Sequence, residues 1–434
     1  MPEMKDSGIE WVGMCPSHWK IMANKYIMKK LKIINPIYHG EDILSLTMNG
    51  VIVRDLDAGG KMPTSFDGYQ ILHKNNLLMC LFDYDVTPRC IGLINDEGLT
   101  SPAYSQFVMK NNNYAGYYYY YYLMIDNTKE LLHLAKNLRH SFTEEQLGNI
   151  NAPVPSIEEQ ERIARFLDDK CNEIGTLTED IQAEIEMLEE YKKSVITEVV
   201  TKGLNANVQM KDSGVQWIGQ IPEHWSFPKI TYVLDYQHPY PIGDGDHGSI
   251  KADDYVEKGI PFIRVQNLGF ASEINLDNVV YITEEQNKTI ENSTLYPNDI
   301  LFAKTGATIG KVGIVPESIV RANTTSHVGK ITVSREIVPK YIYYMLSSSI
   351  GYKQFWDIAS QKTTRPELSI DEIKTIHVLM PETRDEQLQI VKYLDDKCKR
   401  IDEAVAQKKE QLEILKDYKK SVIYEYVTGK KVVK

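Results

Sequence analysis

Apolar side chains recur every seven residues along two long stretches of the chain. Leu167, Ile174, Ile181, Leu188 and Val195 form one series; Leu394, Ile401, Leu415 and Val422 form the other, with Lys408 as its single break. A strict heptad keeps these positions on one stripe of an α-helix and marks a coiled-coil seam. Cys171, Ile185, Cys398, Val405 and Leu412 fill neighbouring seam positions. Each series opens on a helix-start signal, Ser156 followed by Glu159 and Thr383 followed by Glu386, with Pro155 and Pro381 just upstream. The spacing predicts helices over 156–203 and 381–434, the first about 70 Å long at 1.5 Å per residue.

Between these helices the pattern changes to short strands and turns. In 259–269, GIPFIRVQNLG sets Ile263, Val265 and Leu268 against Arg264, Gln266 and Asn267, an approximate period of two. In 299–315, DILFAKTGATIGKVGIV reads as a strand, a glycine-rich turn and a second strand, and 320–333 continues in the same style. The earlier region offers a looser parallel in 75–80, 87–94 and 101–109, followed by six consecutive tyrosines at 117–122. Tyr341-Ile-Tyr-Tyr344 occupies the matching place later on, so each set predicts a helix half-buried against a sheet rather than a base-stacking platform.

The frame around these regions is duplicated. MKDSGIEWVGMCPSHWK at 4–20 returns as MKDSGVQWIGQIPEHWS at 210–226, and EEQERIARFLDDKC at 158–171 returns as DEQLQIVKYLDDKC at 385–398. The first element recurs at an offset of 206 and the second at 227, so the later insert is 21 residues longer. Such a period means two domain-sized copies, not a solenoid. Both strands of a coiled coil are thus present in one chain, which favours internal pairing over pairing with another protein. Antiparallel packing would put one insert at each end and let the helices act as a ruler.

Charge supports that pairing. Residues 156–203 carry 13 acidic and 6 basic side chains, whereas 381–434 carry 11 and 13, so the two helices attract each other more than themselves. The chain's net charge of −11 therefore sits largely on the first helix. Both inserts are close to neutral, and neither shows the basic footprint of a protein that binds duplex unaided. Five scattered cysteines without a Cys-x-x-Cys pair argue against a disulfide scaffold or zinc ribbon. With no long apolar run and no leader-like start, we expect a cytoplasmic protein away from membranes.

Motifs with catalytic overtones dissolve on inspection. Gly306-Ala-Thr-Ile-Gly310-Lys311 has three residues between its glycines where a phosphate loop has four, and Val312 stands where Ser or Thr should bind magnesium. Asn35-Pro36-Ile37-Tyr38 resembles an amino-methyltransferase motif but has no cofactor strand before it, so it reads as an Asn-Pro turn. His18 and His224, each in Pro-x-His-Trp, have no ligand-spaced acid or cysteine and read as frame-junction residues. No metal site is expected.

Taken together, the repeated Trp-Val-Gly and Trp-Ile-Gly segments with their Pro-x-His-Trp, PFIRVQNL at 261–268, NDILFAKTGATIGKVGIV at 298–315 and the two Leu-Asp-Asp-Lys-Cys helices resemble the specificity subunits of Type I restriction–modification enzymes. The resemblance covers nearly the whole chain. It implies an α+β protein with pseudo-two-fold internal duplication. Two small β-rich target-recognition domains, 1–155 and 204–380, would be separated by two long antiparallel coiled-coil helices. It further implies a non-catalytic reader of a bipartite, asymmetric target in double-stranded DNA, docked to two methyltransferase subunits and joined by nuclease–translocase subunits. Those partners would hold S-adenosylmethionine and ATP with Mg, and this chain no cofactor. The first insert departs from the pattern, with ILSLTMNGVIVRDL at 43–56 where a PFIRVQNL-like strand belongs.

Base reading needs donors and acceptors that reach groove edges. In the second domain Arg264, Gln266, Lys304, Thr305, Arg321, Asn323, Thr325, His327, Lys362, Thr363 and Arg365 are the candidates. In the first they are Arg54, Lys61, Arg89, Tyr104, Gln106 and Arg139. The competing readings are a stand-alone DNA methyltransferase and a coiled-coil adaptor with two modules that bind something other than DNA.

Overall fold

The computed structural model describes residues 3–57, 63–135, 140–271, 273–362 and 365–433. Two long helices, Ile157–Lys202 and Arg384–Val427, dominate the secondary structure. The chain divides into two compact units, Met1–Gln182 with Lys409–Lys434, and Ala183–Lys408, so each unit owns one end of each helix.

In the first unit the central element is a four-stranded antiparallel sheet. Its strands are β1 (Met28–Leu31), β2 (Leu77–Met79), β3 (Ile91–Leu93) and β4 (Ser105–Met109), in the order β1-β4-β2-β3. The second unit is built on β5 (Ile242–Asp244), β6 (Ile300–Ala303), β7 (Val312–Ile314) and β8 (Val328–Ile331), in the order β5-β8-β6-β7. The two sheets are therefore the same sheet. Even the register agrees: Leu78 faces Gly92 across β2–β3, and Leu301 faces Gly313 across β6–β7. Glycine is required there because a second layer leans on the strand; a Cβ would come within 2.5 Å of Val51 at Gly92 and 2.8 Å of Ile274 at Gly313.

The tyrosine run forms the helix Ala115–Thr128, as its pattern predicts, but it is not half-buried. Of Tyr117 to Tyr122 only Tyr119 keeps appreciable exposure. The hydrophobic core that takes up this helix combines sheet residues Leu77, Ile91 and Phe107 with Ile163, Leu167, Val422 and Val427 of the long helices. Tyr341, Tyr343 and Tyr344, in the helix Pro339–Ser347, are likewise buried in the second unit.

One socket, made by the opening turns of each long helix, holds each unit together. Glu159 faces His18 Nε2 at 2.9 Å and accepts from Trp19 Nε1 at 3.3 Å; Glu386 does the same for His224 at 2.9 Å and Trp225 at 3.0 Å. Gln160 Oε1 accepts from the Tyr114 N–H and Gln387 Oε1 from the Val338 N–H, each beside the start of a tyrosine helix. Asp168 accepts from Tyr120 at 2.7 Å and Asp395 from Tyr344 at 2.6 Å. Every carboxylate and amide here is related to its counterpart by the 227-residue offset read from the sequence. The repeated Pro-x-His-Trp is thus half of a clamp whose other half is the helix cap.

Leu167, Ile174, Ile185, Val195, Leu394, Cys398, Ile401, Val405 and Val422 are buried along the seam. Cys171, Ile181, Leu188, Leu412 and Leu415 are only partly covered. Within the first unit the start of one helix meets the end of the other, with the Phe166 and Tyr426 rings 4.4 Å apart. Within the second, Lys408, the break in the heptad, pairs with Glu184, and Lys192 meets both Asp402 oxygens at 2.7 and 2.8 Å. Rising numbers on one helix face falling numbers on the other, so the pairing is antiparallel.

Candidate nucleic-acid interface

In the second unit the polar candidates converge on the turn joining β6 to β7. Ala303 N–H donates to Lys311 O at 2.9 Å and closes the hairpin; Lys304 N–H donates to His327 O at 2.9 Å, bringing in the loop before β8. A third segment straps the turn from outside. Leu368 N–H donates to Lys304 O at 2.9 Å, Gly306 N–H to Pro366 O at 2.8 Å, and Thr305 bridges Glu367. Gly306 has a φ of +61°, the left-handed conformation that lets the strap approach so closely.

This packing sorts the candidates. Arg365 is exposed, and its guanidinium lies beside Gly306; among the described residues it makes no hydrogen bond or ion pair. His327 is exposed, with Nδ1 3.3 Å from Thr305 Oγ1. Lys304, by contrast, is buried in an ion pair with Asp244, whose other oxygen faces His247 at 3.1 Å. Lys304 and the buried Thr305 are therefore supports of the turn and not free donors, a correction to their expected role. Asp244 and His247 had no signal in the sequence, since only the folded sheet brings the end of β5 beside the β6–β7 turn.

Asn323 is corrected more sharply. It is fully buried, its amide donating to Asn287 Oδ1 at 2.8 Å and Ile290 O at 3.1 Å while accepting from Ser293 Oγ. Arg321 is spent on Glu284, donating to both carboxylate oxygens at 2.6 and 2.7 Å. Arg264 lies over the Tyr255 ring and donates to Asn278 O at 3.2 Å. Gln266 is exposed on the following turn, Thr325 is half-buried, and Lys362 is exposed but paired with Glu372 at 2.9 Å.

The first unit rearranges its candidates in the same way. Gln106 is fully buried; its carbonyl accepts from Asn76 and from the His73 N–H while its amide donates to Ile71 O at 2.9 Å. It joins β4 to its neighbours from inside the fold, a correction to its expected place on the surface. Tyr104 is half-buried against Phe82, and burial pushes its phenol up from the ordinary range. Arg89 donates to Tyr119 Oη at 3.3 Å, and Arg54 is half-buried without a side-chain partner among the described residues. Lys61, Arg139 and Thr363 lie outside the described residues. Among the described residues no cluster of His, Cys, Asp and Glu could hold a metal, and no helix is long and apolar enough to cross a membrane.

Residues 92–187 and 247–414 match the model of the Type I restriction modification DNA specificity domain. The chain belongs to that family. The Type I restriction enzyme MjaVIII specificity subunit of Methanocaldococcus jannaschii is 27% identical over 290 residues, 66% of this chain and 63% of that protein. The EcoBI specificity subunit of Escherichia coli is 26% identical over 266 residues, 58% of this chain and 54% of its own. The chain thus matches less than two thirds of the length of either relative. A chain from a solved structure concerned with complex assembly and conformational transition of the type I R-M system has the same fold, at TM-score 0.67 and 14% identity. That match covers 95% of this chain and 98% of the other. The family match begins only at Gly92, within β3, which agrees with the departure of 43–56 from the family's pattern.

Proposed function

We propose that this chain is the non-catalytic specificity subunit of a Type I restriction–modification complex, each unit reading one half of a bipartite, asymmetric target in double-stranded DNA. The observation that carries the reading is the doubled sheet in its doubled socket. One frame presents two hairpin turns, between β2 and β3 and between β6 and β7, whose sequences differ. A reader of one continuous site needs no second copy, and a reader of a palindrome needs no divergence. Arg365 and His327 supply donors suited to guanine O6 and N7 in the major groove, a contact worth about 1–3 kcal/mol of discrimination when well aligned.

The near-neutral inserts fit a protein that leaves much of the phosphate attraction to partners. We infer two methyltransferase subunits with S-adenosylmethionine, and nuclease–translocase subunits using ATP and Mg, all in the cytoplasm. The acidic first helix fits protein or solvent better than phosphate, and the helices would fix the spacer between half-sites. The test is single-molecule methylation sequencing of the source strain with and without the gene. Loss of methylation at one split motif supports the reading; an unchanged methylome refutes it.

A further inference from the structure

Three of the backbone hydrogen bonds that close and strap the second hairpin turn have counterparts in the first unit, the third displaced by one residue. Cys80 N–H donates to Cys90 O at 2.9 Å, as Ala303 does to Lys311. Phe142 N–H donates to Leu81 O at 2.7 Å, as Leu368 does to Lys304, and Tyr84 N–H donates to His140 O at 3.2 Å, as Gly306 does to Pro366. Phe142 and Leu368 are both buried, and each is followed at once by a capping box, Thr143 with Gln146 and Ser369 with Glu372. The turn between β2 and β3 is therefore the structural counterpart of 304–311, although the two turns differ in length and in sequence.

That turn is supported as firmly as its counterpart. Lys129, at the end of the tyrosine helix, donates to Thr87 O at 2.7 Å and to Asp126 Oδ1 at 2.7 Å. The other oxygen of the buried Asp126 accepts from the Cys90 N–H at 2.8 Å. Around its tip the turn exposes one apolar and one acidic side chain. Val86 is 73% exposed at its tip, and beside it the exposed Asp85 carboxylate meets His140 Nδ1 at 3.0 Å across the strap. The turn thus offers an acceptor whose direction is fixed by a histidine.

We propose that Asp85 is the specificity-determining residue of the first unit, its carboxylate accepting from the N4 amino group of a cytosine in the first half-site, with His140 as its positioning residue. A carboxylate accepts from cytosine N4, is repelled by the guanine and thymine acceptors, and at adenine meets the N6 donor only beside the repelling N7 acceptor, so it favours cytosine. Preorganisation by the strap and by Lys129 supplies the rigid support that such a contact requires. The inference rests on the specificity-subunit reading above.

The test is to co-express the full chain with its methyltransferase subunits in a host lacking that methylation and to sequence the methylated motif. Wild type, Asp85→Asn, Asp85→Ala and Arg365→Ala are compared. Both Asp85 variants are expected to keep the second half-site and the spacer. They should accept other bases at one C·G pair of the first half-site, with methylation of those sites rising roughly ten-fold. Arg365→Ala is expected to relax the second half-site alone, which tells the two apart. A wild-type complex that methylates no split motif fails the specificity-subunit reading itself. A first half-site without a C·G pair, an unaltered motif in both Asp85 variants, or a change confined to the second half-site overturns the proposal and leaves that reading standing. Asp85→Asn keeps the side chain's size, so loss of all methylation in Asp85→Ala through misfolding does not remove the test.

Discussion

Replacing Glu159 by Ala should destabilise the first unit by about 2–4 kcal/mol. Glu159 Oε2 accepts from the Ser156 N–H at 3.1 Å and its hydroxyl at 3.0 Å, closing the capping box of the first long helix; losing it costs about 0.5–1 kcal/mol. Oε1 holds the Trp19 indole N–H, and Trp19 is only 2% exposed, so the substitution strands a buried donor at about 1–3 kcal/mol. The half-exposed His18 pair adds at most about 1 kcal/mol. Urea titration of the full chain, followed by tryptophan fluorescence, measures the loss for Glu159→Ala, Trp19→Phe and the double variant. Because the units need not unfold together, the transition that moves must be identified from Trp19→Phe first. The two substitutions should couple by about 1 kcal/mol or more, since the second removes the donor that the first strands. A loss under about 0.5 kcal/mol, or additivity within that margin, would refute the clamp.

The same clamp titrates. Burial pushes the Glu159 carboxyl up, but hydrogen bonds from His18, Ser156 and Trp19 outweigh it and hold the group below its ordinary 4.5. Its contribution is thus complete above 4.5 and is lost as pH falls through the depressed value; a stability–pH profile of Glu159→Ala should be flatter there than that of wild type. Gly429→Ala and Gly203→Ala both place alanine at φ +71°, but only at Gly429 would the Cβ come within 2.4 Å of the rigid Pro16 ring. Urea midpoints should show Gly429→Ala costing at least about 1 kcal/mol more than its counterpart. Gln106→Ala should cost about 1–3 kcal/mol by stranding Asn76 and the His73 N–H, with the methylated motif unchanged. A shifted motif would return Gln106 to the reading surface.

The heptads and the duplicated ends were legible because their signals are periodic and local. The common sheet was not. β2 and β6 are buried along their whole length, so neither alternates apolar with polar, and only pairing reveals that they are equivalent. Polar residues misled for a related reason. Gln106, Asn323 and Lys304 have the composition of a binding surface, but each is satisfied inside the fold, which a sequence does not disclose. The tyrosine helix was readable as a helix, but its burial depended on the long helices closing over its far side. Asp85 and His140 were invisible for a plainer reason: they are 55 residues apart in sequence, and a strap of two backbone hydrogen bonds joins their segments.

A seam of apolar sevens is degenerate, since sliding one helix by seven residues sets like against like and costs the core little. The two ion pairs of the second unit remove that freedom. Slide by one repeat, and Glu184 leaves Lys408 to face Ile401 or Leu415, stranding a carboxylate against an apolar stripe. Lys192, only 8% exposed in its side chain, would lose Asp402 at the same stroke. The flaw at Lys408 is therefore a ratchet tooth. Within this unit the pairing of the helices can thus change only in whole repeats, and only together with the pair that locks it.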